Sequence, residues 1–159
     1  MPRMLYVGEE TTGLLAKRLA AQSGYDTTVL GTLQEARESI ESANPPFDIY
    51  FIDLYMTTEL RSCAGNPQEL AHRVSAAILE PAKRRGTDIG TRVFFVDATP
   101  CPEHHAAARL LLPSSRYSLL RLDTLFTGVN LEAGPEQRIV SGGDLRPILE
   151  HFRSATSAA

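Results

Sequence analysis

The sequence predicts a doubly wound, three-layer α/β/α domain built on a five-stranded parallel sheet in the order 2-1-3-4-5. Three observations lead there. Short apolar runs alternate with helical patterns along most of the chain. Two of those runs, "FDIYFIDLYM" (47–56) and "TRVFFVDATP" (91–100), hold continuous apolar stretches that end on an acid, Asp53 and Asp97, as strands buried on both faces can. At 159 residues with 43% apolar and 22% charged residues, the chain has the size and composition of one ordinary globular domain.

The elements follow in order. "RMLYV" (3–7) is the first strand. The next stretch, "TTGLLAKRLAAQSGY", is a helix with Thr11 or Thr12 as cap, Leu15 and Leu19 four apart, and Gly24 placed to end it. "DTTVL" (26–30) is more polar and suits a sheet edge. "TLQEARESIESA" opens on a Thr32/Glu35 capping box and carries Leu33, Ala36 and Ile40 on one face. The third strand, inside 47–56, is followed by a helix with Asn66 as cap and Pro67 in its first turn, and Pro81 is expected to kink or end it. A fourth strand in 91–100 leads to a short helix, "PEHHAAARLLL". "YSLLRL" (117–122) is a fifth strand, and "DLRPILEHF" is a last helix with Leu145, Ile148, Leu149 and Phe152 on one stripe. Between these two lies "DTLFTGVNLEAGPEQRIVSGG", whose Gly and Pro flank two β-like runs and predict an extra loop or hairpin. The domain should span 1–153, with 154–159 a flexible tail.

Charge and cysteine content exclude several classes. A net charge of −3 and a pI near 5.8 provide no positive field for nucleic acid or anionic lipid. No apolar run reaches the roughly 20 residues of a membrane helix, so a cytoplasmic protein is expected. Cys63 and Cys101 form no CxxC pair and read as reduced thiols. A zinc site using them with His104 or His105 is disfavoured, because adjacent helical side chains point about 100° apart; surface histidines are the default reading. No Gly-rich phosphate loop follows the first strand and no nucleophile–base pair is evident, which argues against an enzyme.

In a sheet of this order, strands one, three and four sit together, and ligands collect beyond their carboxyl ends. That crevice should receive Glu9, Glu10, Asp53 and Asp97. Unrelieved, four acids there would repel one another, at about 1 kcal/mol per close pair in water and about 4 at an effective dielectric of 20. Neutralising Asp53 or Asp97 is then expected to stabilise the fold or leave it unchanged. Asp53 alone reads as a phosphoacceptor, a metal ligand or a carboxylate capping the next loop, and Asp97 as a cap of the following helix.

The segments "MLYVGEE", "FDIYFIDLYM", "RVFFVDA" and "DLRPILEHF" resemble the flavodoxin-like receiver domains of bacterial response regulators, the CheY-like phosphoacceptor modules, over nearly the whole chain. The resemblance implies an acidic pair after strand one that helps bind Mg²⁺, a phosphorylated aspartate after strand three, a hydroxyl after strand four and a lysine on strand five. Asp53 matches the phosphoacceptor, within a "D-x-x-x-x-D-L" context led by Asp48. The other positions depart from the pattern. Gly8 stands first in the acidic pair and Glu9 second; Asp97 replaces the hydroxyl, with Thr99 displaced; Arg121, or by another alignment Ser141, takes the lysine's place.

These departures imply an atypical receiver, or pseudo-receiver, acting as a signalling or scaffold protein through protein–protein interaction. The alternative is a stand-alone response regulator phosphorylated on Asp53 by a histidine kinase. No cofactor is expected beyond weak Mg²⁺ at Glu9 and Asp53. The chain closes shortly after its last helix, which leaves signalling to its own surface. The partner face by resemblance is that of the fourth helix, fifth strand and fifth helix, with Leu125, Phe126, Val129 and Leu131 as candidate contacts, and a homodimer is a further option.

Overall fold

The computed structural model describes residues 1–54, 65–97, 102–111, 120–121 and 145–158, with Arg121 and 153–158 described by their backbone only. Five strands, β1 (Arg3–Val7), β2 (Asp26–Leu30), β3 (Ile49–Asp53), β4 (Val93–Asp97) and β5 (Leu120–Arg121), form one parallel sheet in the order β2-β1-β3-β4-β5. This is the predicted order, and it follows from right-handed crossovers laying each new strand beside an earlier one.

Strand alternation divides the core into two layers. Leu5, Val7, Tyr50, Ile52 and Phe95 point to one face, where α2 (Leu33–Ser42), α3 (67–84) and α4 (Pro102–Leu111) cover them. Met4, Tyr6, Ile49, Phe51, Phe94 and Val96 point to the other, under α1 (Glu10–Gln22) and α5 (Leu145–Ala158). All ten residues of β3 and β4 are buried, which is why those strands read as unbroken apolar runs.

Helix ends follow their local chemistry. Thr32 Oγ1 accepts from the Glu35 N–H at 3.1 Å while its hydroxyl donates to the Glu35 carboxylate, and Asn66 accepts from the Glu69 N–H at 3.1 Å. Such caps contribute about 1 kcal/mol each. Gly24, at φ 84°, ends α1 with Tyr25 N–H bonded to the Ala20 carbonyl and Gly24 N–H to that of Ala21, so the left-handed residue was correctly placed.

Three local expectations need correction, and a fourth, at Pro81, takes a specific form. Helix α1 begins at Glu10 with Glu9 as its cap residue, not at Thr11 or Thr12, because the chain turns immediately after Gly8. Pro81, expected to kink or end α3, distorts it without ending it. Its missing N–H and bulky ring are absorbed by a π-helical turn, Ser75–Leu79, and the helix resumes over Glu80–Arg84. Residues Thr91 and Arg92, read as strand, close a short helical turn, Ile89–Arg92, capped by the Asp88 side chain. The backbone stays helical to Ala158, where a frayed tail was expected. The expected extra hairpin, with Leu125, Phe126, Val129 and Leu131, lies outside the described residues, as do Cys63, Thr99, Cys101 and Ser141. Among the described residues no helix is long and apolar enough to cross a membrane.

Candidate functional site

Register brings the predicted crevice together. Val7 pairs with Ile52, so Gly8 follows on β1 at the level where Asp53 follows on β3; Asp53 pairs with Val96, so Asp97 lies one step beyond it on β4. Asp97 in turn pairs with Arg121. The register thus supports Arg121 as the residue standing in the lysine's place, although 24 positions separate it from Asp97.

Asp53 ends β3 with 0% of its surface exposed. Its side chain lies across Gly8: a Cβ built on Gly8 would stand 2.9 Å from Asp53 Cβ and 3.1 Å from Tyr6 Cε1. Glycine is therefore required at position 8 by the way Asp53 and Tyr6 pack, and the missing first acid is part of the core's shape. Glu9 is half-buried; its Oε2 accepts from Thr12 Oγ1 at 3.2 Å. Glu10 is exposed on the first turn of α1. Asp48 lies at the opposite pole, where its carboxylate accepts the Arg3 N–H at 2.8 Å and ties β3 to β1.

Tyr6 was not singled out by the sequence, where it is one apolar residue of "RMLYV". Its ring lies under Gly8 and Gly13, the latter's Cβ position being 3.3 Å from Tyr6 Cδ1. Its buried hydroxyl has no hydrogen-bond partner among the described residues. Burial first, then the negative charges of Asp53 and Glu9, push the Tyr6 hydroxyl's pKa well above the usual tyrosine value. The two glycines in the first βα unit were the available signal: each borders that ring, though the nearest atom to a Cβ is Asp53 Cβ at Gly8 and Val29 Cγ1 at Gly13.

Asp97 is fully buried as well, and its Oδ2 meets Nδ1 of His104, itself 3% exposed on α4. Two expectations fall here. His104 is not a surface histidine, because the first turn of α4 points it back at the end of β4; and Asp97 is not one of four repelling acids, because an imidazole faces its carboxylate. His105, one residue on, is only half-buried, so the helical geometry separates the two rings as anticipated.

The residues present do not make the three-carboxylate Mg²⁺ site that the resemblance implies. Mg²⁺ keeps several waters and needs an open face, whereas Asp53 is enclosed, position 8 excludes a carboxylate and Glu9 is held by Thr12. Glu9 and Asp53 remain as the residues that an ion would use.

Known structures place this arrangement. The non-phosphorylated receiver domain of HemR from Leptospira biflexa superimposes with a TM-score of 0.55 at 18% identity, covering 97% of this chain and 95% of that one. A CheY-like response regulator receiver domain from Methanospirillum hungatei gives 0.58 at 15% identity, covering 100% and 99%. This is the CheY-like receiver fold. No family model and no curated protein matches the sequence. Among the described residues the strand order is that of the receiver fold, and the departures from the receiver pattern lie in side chains at the strand ends, not in the topology.

Proposed function

We propose that this protein is a pseudo-receiver, a signalling or scaffold module of two-component type that works through protein–protein contacts and does not depend on phosphorylation. The observation that carries the reading is the enclosure of Asp53, with no exposed surface and its side chain packed over Gly8. Phosphoryl transfer to a carboxylate needs a donor in line with it and cations around the new charge of about −1.5 to −2. Position 8 supplies no ligand for a metal, and the next strand end holds another carboxylate, Asp97, already engaged with His104. Switching by phosphate at this centre would have to rebuild two buried groups. Neither Asp53 nor Asp97 is placed as a nucleophile beside a base with access to a substrate, so the reading is of a binding module.

Phosphorylation of Asp53 is the competing reading, favoured by the register that sets Arg121 beside Asp97. Incubating the protein with a small acyl phosphate and Mg²⁺ and recording the intact mass separates the two. The expected result is no added phosphoryl group and full complementation by Asp53→Asn. Stoichiometric labelling that Asp53→Asn abolishes, or a folded Asp53→Asn protein that behaves as a deletion, would establish the phosphorylated regulator instead.

A further inference from the structure

The first strand of the sheet order, β2, is an edge, and its pairing is regular over five residues. Asp26 N–H bonds to the Pro2 carbonyl and the Leu30 carbonyl receives the Gly8 N–H, which turns the backbone groups of Asp26, Thr28 and Leu30 toward β1. Those of Thr27 and Val29 face away from β1, with Thr27 4% exposed and Val29 half-buried in the groove beside the edge. Natural edges are blunted by proline, lysine, bulges or a covering element; "DTTVL" contains neither proline nor lysine, and its register with β1 has no bulge. The edge borders a groove lined by Glu10, Leu14, Lys17, Thr27, Val29 and Glu35.

We infer that this edge is a homodimer interface in which β2 of two copies pairs antiparallel about a two-fold axis at Thr28. Two independent patterns centre on that axis. In the strand, Thr27 then exchanges both backbone bonds with Val29 of the second copy, and Val29 with Thr27, so the four groups of each copy that face away from β1 combine into four hydrogen bonds. Thr28 faces itself across the axis, a favourable cross-strand pair, and Asp26 falls opposite Leu30, so no like charges oppose one another in the ladder.

The second pattern is on α1. Gly13 sits over the β1–β2 seam, its Cβ position 2.2 Å from Val29 Cγ1 and 3.3 Å from Tyr6 Cδ1. The helix runs opposite to the strand, so Leu14 stands level with Thr28 to within about 2 Å. Leu14 is 52% exposed, one of three large apolar side chains so exposed among the described residues. Glu10, Leu14 and Lys17 form one outward ridge at i, i+4 and i+7. Neither Glu10 nor Lys17 has an ion-pair partner among the described residues. Edge pairing would place the two α1 helices antiparallel on the same face of a continuous sheet. A helix over the seam lies half a strand spacing inside the edge, which sets the α1 axes about 10 Å apart, an ordinary packing distance. Leu14 then meets Leu14 of the second copy, flanked on each side by Glu10 against Lys17. The one unfavourable approach is Asp26 toward Glu35 of the second copy; Asp26 is exposed, where salt screens it.

The test is sedimentation equilibrium of the full chain, with residue-resolved hydrogen exchange at low and high protein concentration. A monomer–dimer equilibrium with a Kd of about 1–100 µM is expected. The amides of Thr27 and Val29 should slow with concentration while that of Thr28, already inside the sheet, does not change. Leu14→Asp and Thr28→Lys should each weaken association at least about tenfold. Glu10→Lys should weaken it, and adding Lys17→Glu should restore it. Because residues 10 and 17 are exposed, that swap decides the matter even where Thr28→Lys lowers the melting temperature. A chain that stays monomeric at about 1 mM, a dimer indifferent to Leu14→Asp, or a swap without rescue would each overturn the assignment.

Discussion

Two aspartates end neighbouring central strands at the same depth, yet they belong to different kinds of environment. Asp97 faces an imidazole: His104 reaches it from the first turn of α4 and both side chains are enclosed. Asp53 is packed against a glycine and a tyrosine ring, with Glu9 close enough to raise the Tyr6 pKa alongside it. The position that the receiver pattern reserves for a switching hydroxyl has thus become a pinned hydrogen-bonded pair. At the position that corresponds to the phosphorylated one, Asp53 has none of its surface exposed. Similar strand endings in sequence therefore conceal two different surroundings, a carboxylate that meets an imidazole and one enclosed beside a glycine and a tyrosine ring.

Removing Asp97 should have the largest effect. Asp97→Ala leaves His104 facing a cavity with its partner gone, and breaking a buried pair of this kind costs about 3 kcal/mol or more. At about 2–4 °C per kcal/mol for a domain of this size, the melting temperature should fall by roughly 6–12 °C. His104→Ala should cost a similar amount, and the double variant much less than the two combined, with a coupling above about 1 kcal/mol. Additive losses would mean that the two side chains do not depend on each other, and a stabilised Asp97→Ala would return Asp97 to the set of repelling acids.

Restoring the family's acid at position 8 probes the other half. Gly8→Asp must place a Cβ 2.9 Å from Asp53 Cβ, so it should destabilise by about 1–3 kcal/mol through overpacking and bring no gain in Mg²⁺ affinity by titration calorimetry. Tight ion binding by Gly8→Asp without loss of stability would show that the site is open and that one substitution separates it from the ordinary receiver.

Much of the fold was legible because it depends on patterns that the backbone imposes. Short apolar runs between helical patterns marked all five strands, the Thr32 and Asn66 caps set the starts of α2 and α3, and Gly24 marked a left-handed residue. Pro81 signalled a disturbance of the helix but not its form, because a π-turn offers a way around a proline that no local rule reveals. The positions of the site were legible through the strand ends, but its character was not. Whether a carboxylate is reachable or paired depends on a residue seven places beyond Asp97 on a helix, His104, and, for Asp53, on a ring of the neighbouring strand, Tyr6. Both contacts are tertiary, and neither residue type signals the contact by itself.

The smallest expected effect at neutral pH is that of Tyr6→Phe, and it is informative because its sign changes with pH. The hydroxyl is buried without a hydrogen-bond partner among the described residues, so removing it should leave stability unchanged or raise it by up to about 1 kcal/mol at pH 7. In alkali the wild-type residue becomes a liability. Its folded pKa is raised by burial and by the charges of Asp53 and Glu9, while in the unfolded chain it titrates near 10. Below that value both states are protonated and Tyr6 contributes no pH dependence; above it the unfolded chain loses a proton that the folded one retains, and stability falls by up to about 1.4 kcal/mol per pH unit until the folded group also ionises. Tyr50, also raised mainly by burial, adds a limb of the same sign that is common to both proteins. Denaturant unfolding between pH 8 and about 11 should therefore show a shallower alkaline loss in Tyr6→Phe than in the wild type. Parallel alkaline limbs would show that the Tyr6 hydroxyl ionises as readily in the folded chain as in the unfolded one, against its burial beside Asp53 and Glu9.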